Sequence, residues 1–151
     1  MMRRILFAAA LLLVLPLVAA HAAGQLTFTG QFRNAGGEFD FAQFTAGKEK
    51  IAVVYVTAGD QRSSVEFQAS EWQSFARLWQ KARSVKSASL QPVGSFQESG
   101  TNRPAQLNVA AGPGVQFTVI ASHGPLVFLL KPGDYAKFDA SVNQMTQWTA
   151  P

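Results

Sequence analysis

The sequence predicts an α+β fold: a tandem, pseudo-symmetric ββββα repeat whose antiparallel sheets are each closed by one helix. Three observations predict it. Four strand-like segments occur in each half, an amphipathic helical stretch follows each set, and the halves overlay at a constant offset of 63 residues.

In the first half, Leu26 to Phe32 and Phe39 to Gln43 alternate with period two. Asn34-Ala35-Gly36-Gly37 between them has hairpin-turn chemistry. Lys50 to Thr57 is β-branched on both faces and reads as a central strand. Ala58-Gly59-Asp60-Gln61 turns it into Ser64 to Gln68. A helix follows. Ser70 and Gln73 have capping-box spacing, and Trp72, Phe75, Ala76, Trp79 and Ala82 make one apolar face.

The second half repeats the plan. Ser95 to Glu98, Gln106 to Ala110, Val115 to Ile120 and Leu126 to Leu130 read as strands. A helix begins near Gly133 or Asp134 and buries Tyr135, Phe138, Val142 and Met145. Without a gap, the offset matches Gly37 to Gly100, Ala42 to Ala105, Gln43 to Gln106, Val56 to Val119, Ala58 to Ala121 and Phe75 to Phe138. The halves span about residues 25–86 and 90–148 of one domain, residues 23–151. One such unit exposes too much apolar surface alone, so two must pack together.

Residues 1–22 have the three regions of a cleaved secretory signal peptide. Arg3 and Arg4 precede the apolar run Ile5 to Val18, and Ala20-His21-Ala22 is a small-x-small cleavage pattern. The run is short for a membrane span. Cleavage near Ala22/Ala23 leaves 129 residues, one domain in size, and sends the protein to the periplasm or the medium. The chain has no cysteine, which excludes disulfides, zinc–thiolate sites and a cysteine nucleophile. After cleavage eleven Lys and Arg face nine Asp and Glu, too mild an excess for a dedicated polyanion binder.

Catalysis finds little to use. His123 is the only histidine after cleavage and sits in a hairpin turn, so no metal, cofactor or catalytic residue is expected. No Gly-x-Ser-x-Gly elbow or phosphate-cradling loop is present. Glu38 and Asp40 share one strand face, and with Glu66 they offer the remaining route to a carboxylate-based hydrolase. Aromatic residues are the main enrichment. Sixteen survive cleavage, and Phe28, Phe32, Phe39, Phe41 and Phe44 cluster in the first two strands. Phe39 and Phe41 share a face and Phe44 takes the other.

The duplicated ββββα order over about residues 25–148 resembles the Whirly and Pur-alpha class of single-stranded nucleic-acid binders. The resemblance is one of topology, without a sequence motif. It implies two paired units whose sheets present aromatic and basic residues to bases and phosphates. Few cations lie on the expected strands, chiefly Arg33, Lys48, Lys50 and Arg62.

The sequence therefore predicts an exported, non-enzymatic binding domain for an envelope protein or glycan, acting through a sheet face or edge. Phe39, Phe41 and Tyr55 are its first candidate contacts. The alternative is a single-stranded nucleic-acid-binding module, which requires Arg33, Lys48, Lys50 and Arg62 to gather on one face beside an aromatic ring.

Overall fold

The structure, a computed structural model, describes residues 24–151. The segment read as a signal peptide, with its Ala22/Ala23 junction, lies outside the described residues. Strands β1 (Gln25–Asn34), β2 (Gly37–Ala46), β3 (Glu49–Ala58) and β4 (Gln61–Gln68) form one antiparallel meander, followed by helix α1 (Trp72–Arg83). Strands β5 (Gln91–Gln97), β6 (Gln106–Ala111), β7 (Val115–Ala121) and β8 (Gly124–Leu130) form the second. A 3₁₀ turn (Pro132–Asp134) then leads into helix α2 (Tyr135–Thr149). The fold is thus α+β, with two four-stranded antiparallel sheets and a helix after each.

The 63-residue offset holds from β3 onward: Val54 and Phe117, Val65 and Phe128, and Phe75 and Phe138 occupy equivalent buried positions. It fails before β3. Val56 pairs with Phe39, whereas its counterpart Val119 pairs with Leu107, so Leu107 and not Asn102 is the equivalent of Phe39. The gapless matches of Gly37 to Gly100, Ala42 to Ala105 and Gln43 to Gln106 are therefore not structural equivalences. Two connections differ. The β2–β3 hairpin is longer than the β6–β7 hairpin, with Phe39 and Val56 17 positions apart but Leu107 and Val119 only 12. In partial compensation, Ala35 and Gly36 alone join β1 to β2, while residues 98–105 join β5 to β6.

Each strand sends alternate side chains inward. Phe39 and Phe41 of β2, Val54 and Val56 of β3, and Val65 and Phe67 of β4 face Leu107, Phe117, Val119 and Phe128 of the second half in one continuous core. The helices bring the largest rings to it. The Phe138 ring lies 4.5 Å from Trp79, 4.9 Å from Phe41, 5.0 Å from Phe32 and 5.3 Å from Phe117, joining both sheets and both helices. The buried indoles find acceptors across the helix pair: Trp72 donates to the Thr146 hydroxyl and Trp79 to the Asp139 carboxylate. Buried Trp N–H groups need such partners.

The helices cross over. α1 lies closest to β5 and β6 of the second sheet, and α2 to β1 and β3 of the first. Two glycines mark the contacts. A Cβ on Gly30 of β1 would come within 2.5 Å of the Ser141 hydroxyl on α2, and one on Gly94 of β5 within 2.6 Å of Leu78 on α1. Both glycines directly follow a β-bulge, Phe28/Gly30 and Pro92/Gly94, and Leu78 and Ser141 are themselves 63 residues apart. The bulge frees the backbone to bend under the helix.

Two local expectations differ. Helix α1 is not capped by Ser70. Glu71 is the N-cap residue, and its carboxylate accepts from the Gln68 amide instead. Strand β5 starts at Gln91 rather than Ser95, because an edge strand tolerates Pro92.

Every sheet edge carries a device against further pairing. On β1, Lys137 donates to the Gln31 carbonyl beside the bulge. On β4, the Glu98 carboxylate accepts from the Glu66 amide, and on β8 the Asn34 amide donates to the Leu129 carbonyl. β5 has Pro92 and its bulge.

Candidate functional site: the outer face of the first sheet

The β1 bulge decides which aromatic rings reach solvent. Phe28 and Phe32 are four residues apart, and strict alternation would put them on one side. The extra residue, Thr29, turns Phe28 outward while Phe32 stays in the core. On the outer side, ladder partners form rows across the sheet: Arg33–Glu38–Thr57–Arg62, then Gln31–Asp40–Tyr55–Ser64, then Phe28–Ala42–Val53–Glu66.

Phe28, 42% exposed, and half-buried Tyr55 stand side by side with ring centroids 5.7 Å apart. The Arg62 guanidinium covers both, 4.3 Å from the Tyr55 centroid and 5.2 Å from that of Phe28. These are cation–π distances. Arg62 also donates to Asp40 at 2.9 Å, and Arg33 is ion-paired with Glu38. Asp40 is 2% exposed, and its second carboxylate oxygen is buried with no partner among the described residues. Burial pushes its carboxyl above the ordinary range and Glu38 adds to this, while Arg62 and Arg33 oppose the shift. The result is a pair of rings tilted 39° to each other, with a guanidinium stacked on them and near-neutral net charge.

The expected site residues fare unequally. Phe39 and Phe41 are fully buried, which corrects their assignment as ligand contacts. Period-two alternation places them together but does not say which face is the core, and their side packs on Phe138. Tyr55, Arg33 and Arg62 do share the outer face. Lys48 and Lys50 do not join them. Lys48 lies in the β2–β3 turn, at the opposite end of the sheet from Arg33 and Arg62. Lys50 projects on the core side, where it donates to the Trp148 carbonyl at 2.8 Å and so caps the C-terminal end of α2. Phe28 was visible as one of an aromatic cluster, but its exposure depends on the bulge. The signal available was Gly30, a glycine inside an alternating strand.

The carboxylates divide between two places. Glu38 and Asp40 share the outer face, as expected, and each is tied to an arginine. Glu66 lines a groove of about 470 Å³ with Glu71 and Glu98 at the β4 edge. There Glu98 accepts from the Glu66 and Ala105 amides, and Glu71 from the Gln68 amide and the Ser99 hydroxyl. Those carboxylates clamp the β5–β6 connection onto the first half. Burial and the nearby Glu98 raise the Glu66 carboxyl above its ordinary range.

No family model matches the chain, and no curated protein matches it. Among solved structures it is similar to the plant transcriptional regulator PBF-2, with 10% sequence identity and a TM-score of 0.47 over 84% of this chain and 81% of that one. The ββββα order, present twice, is the topology on which the Whirly resemblance rests.

Proposed function

We propose that this domain is an exported, non-enzymatic module that binds single-stranded nucleic acid by base stacking on the outer face of the first sheet. The observation that carries the reading is the Phe28–Tyr55 ring pair with Arg62 over it, on the one sheet face among the described residues that combines aromatic and cationic groups. Every base has a π-face, so such a platform accepts a single strand with little regard to sequence. The managed edges favour a face over an edge as the binding surface. Export to the periplasm or medium, where the strand would be extracellular or incoming DNA, rests on residues 1–22. N-terminal sequencing of the mature protein tests it and should find a start near Ala23.

The arginines already hold carboxylate partners, so binding leans on stacking more than on phosphate neutralisation. With about two phosphates neutralised, log affinity falls with log salt at a slope of roughly −1.4. Fluorescence anisotropy with a labelled oligothymidylate at several salt concentrations is the direct measurement. A mature protein that shows no salt-sensitive binding to any oligonucleotide defeats the reading.

The same pairing favours a second reading, a neutral glycan stacked on these rings. Salt-independent binding of an uncharged oligosaccharide, lost in Tyr55→Ala, would establish it.

A further inference from the structure

The bulged edge of β1 bounds an open groove of about 660 Å³, lined by Phe28, Thr29, Gly30, Gln31, Arg33 and Lys137. Phe28 and Arg33 approach it from the stacking face, and Lys137 reaches it from α2 behind the edge. Two contacts hold the Lys137 ammonium in place: it donates to the Gln31 carbonyl at 3.0 Å and lies 4.9 Å from the Phe32 centroid. Among the described residues it has no carboxylate in salt-bridge range, unlike Arg33, Arg62 and Arg83. Thr29, the residue the bulge removes from the ladder, has a buried hydroxyl without a partner. No acidic side chain lines the groove. The Lys137 ammonium, a cation without a carboxylate partner, is the donor an anionic oxygen requires, and the Arg33 guanidinium, ion-paired with Glu38, borders the same groove.

We propose that this groove is a phosphodiester track: a single strand stacks its bases on Phe28 and Tyr55 and runs its backbone along the β1 edge, with a phosphate on Lys137. The proposal rests on the nucleic-acid reading above and gives the strand its path. Lys137 supplies the neutralisation that the outer face lacks, because both arginines there are paired. A peptide strand adding to the edge is a poorer occupant, since Lys137 takes the Gln31 carbonyl and the bulge breaks the register.

The test uses the whole mature chain and two labelled probes, an oligothymidylate and an abasic phosphodiester strand of equal length. Lys137→Gln should weaken oligothymidylate binding by roughly five- to tenfold at low salt and make the salt slope shallower by about 0.7, one phosphate's share. Lys137→Arg should restore both, and thermal melts of the variants separate binding from folding. The abasic strand should bind weakly, in a Lys137-dependent way that Tyr55→Ala leaves intact. If the wild type binds the oligothymidylate and Lys137→Gln changes neither affinity nor slope, the track is overturned while the stacking reading stands. If only the abasic contact is seen and Tyr55→Ala has no effect on either probe, stacking fails and the track stands. If the wild type binds neither probe, both fail.

Discussion

On the outer face of the first sheet, Arg33, Glu38 and Arg62 share one row, Asp40 and Tyr55 the next, and Phe28 the third. The corresponding rows of the second sheet hold Gln97, Gln106 and Pro125, then Asn108 and Thr118, then Pro92. At each of these positions a charged or aromatic side chain has a neutral, non-aromatic counterpart. Inside, the halves match closely: Val54 with Phe117, Val65 with Phe128 and Phe75 with Phe138 are all buried apolar pairs. Pseudo-symmetry is kept where packing demands it and broken where solvent is met. The broken part is where binding chemistry belongs, because a shared core constrains volume and an outer face does not.

The largest expected effect tests the shared core. Phe138→Ala removes a fully buried ring that touches both sheets and should cost about 3–5 kcal/mol. Denaturant unfolding should still show one transition. Two separated transitions, one per half, would break the picture of a common core.

Next comes the contrast between outer faces. Tyr55→Ala should weaken oligonucleotide binding by about 1–3 kcal/mol per stacked base, roughly five- to a hundredfold. Thr118→Ala, its counterpart on the second sheet, should leave affinity unchanged. Equal losses from both would mean that the second sheet binds as well.

Arg62→Gln leaves Asp40 buried without its counter-ion, a change of about 1–3 kcal/mol at neutral pH. The sign follows from the carboxyl, which burial already holds above its ordinary value of 3.8 and which rises further without Arg62. The folded variant then favours the protonated acid, so its deficit should shrink as pH falls and return as pH rises through the raised value. Melting temperatures of variant and wild type at pH 7 and at about pH 4 give the comparison. Asn108, the uncharged counterpart on the second sheet, needs no such partner.

The smallest effect concerns Glu66, whose counterpart is Leu129. Glu66→Gln removes a charge disfavoured by burial and by Glu98, so it should stabilise slightly at pH 7. The gain should vanish below the ordinary value of 4.5, where wild-type Glu66 is neutral in the folded and unfolded chain alike. Parallel melts across that range would show it.

Much of the fold was legible because its signals are local. The apolar stripe Trp72, Phe75, Trp79 and Ala82 is the buried face of α1, and Phe138, Val142 and Met145 are that of α2. The equivalence of β3, β4 and α1 with β7, β8 and α2 was legible too, since their connections have equal lengths. The register of β2 against β6 was not, because the chance identities Gly37/Gly100, Ala42/Ala105 and Gln43/Gln106 extend the gapless overlay past the point where the true register shifts. The site was only partly legible. Alternation groups Phe39 with Phe41, but the choice of face depends on a helix nearly a hundred residues later in the chain. Lys50 and Lys137 illustrate the same limit. Both lysines donate to a backbone carbonyl, Lys50 closing the end of α2 and Lys137 bordering the open groove at the β1 edge, and only tertiary structure distinguishes them.

The crossing of the helices carries a consequence for how the chain is born. The first sheet is completed by α2, which follows all eight strands and α1 in the chain, so its lid is synthesised after them. A ribosome releasing the chain from its N-terminus displays β1 to β4 long before that lid exists. The first half therefore completes its packing only once α2 has emerged. If the chain is exported unfolded, as proposed above, that order is a built-in delay: threading can finish before the aromatic rings around Phe138 pack together.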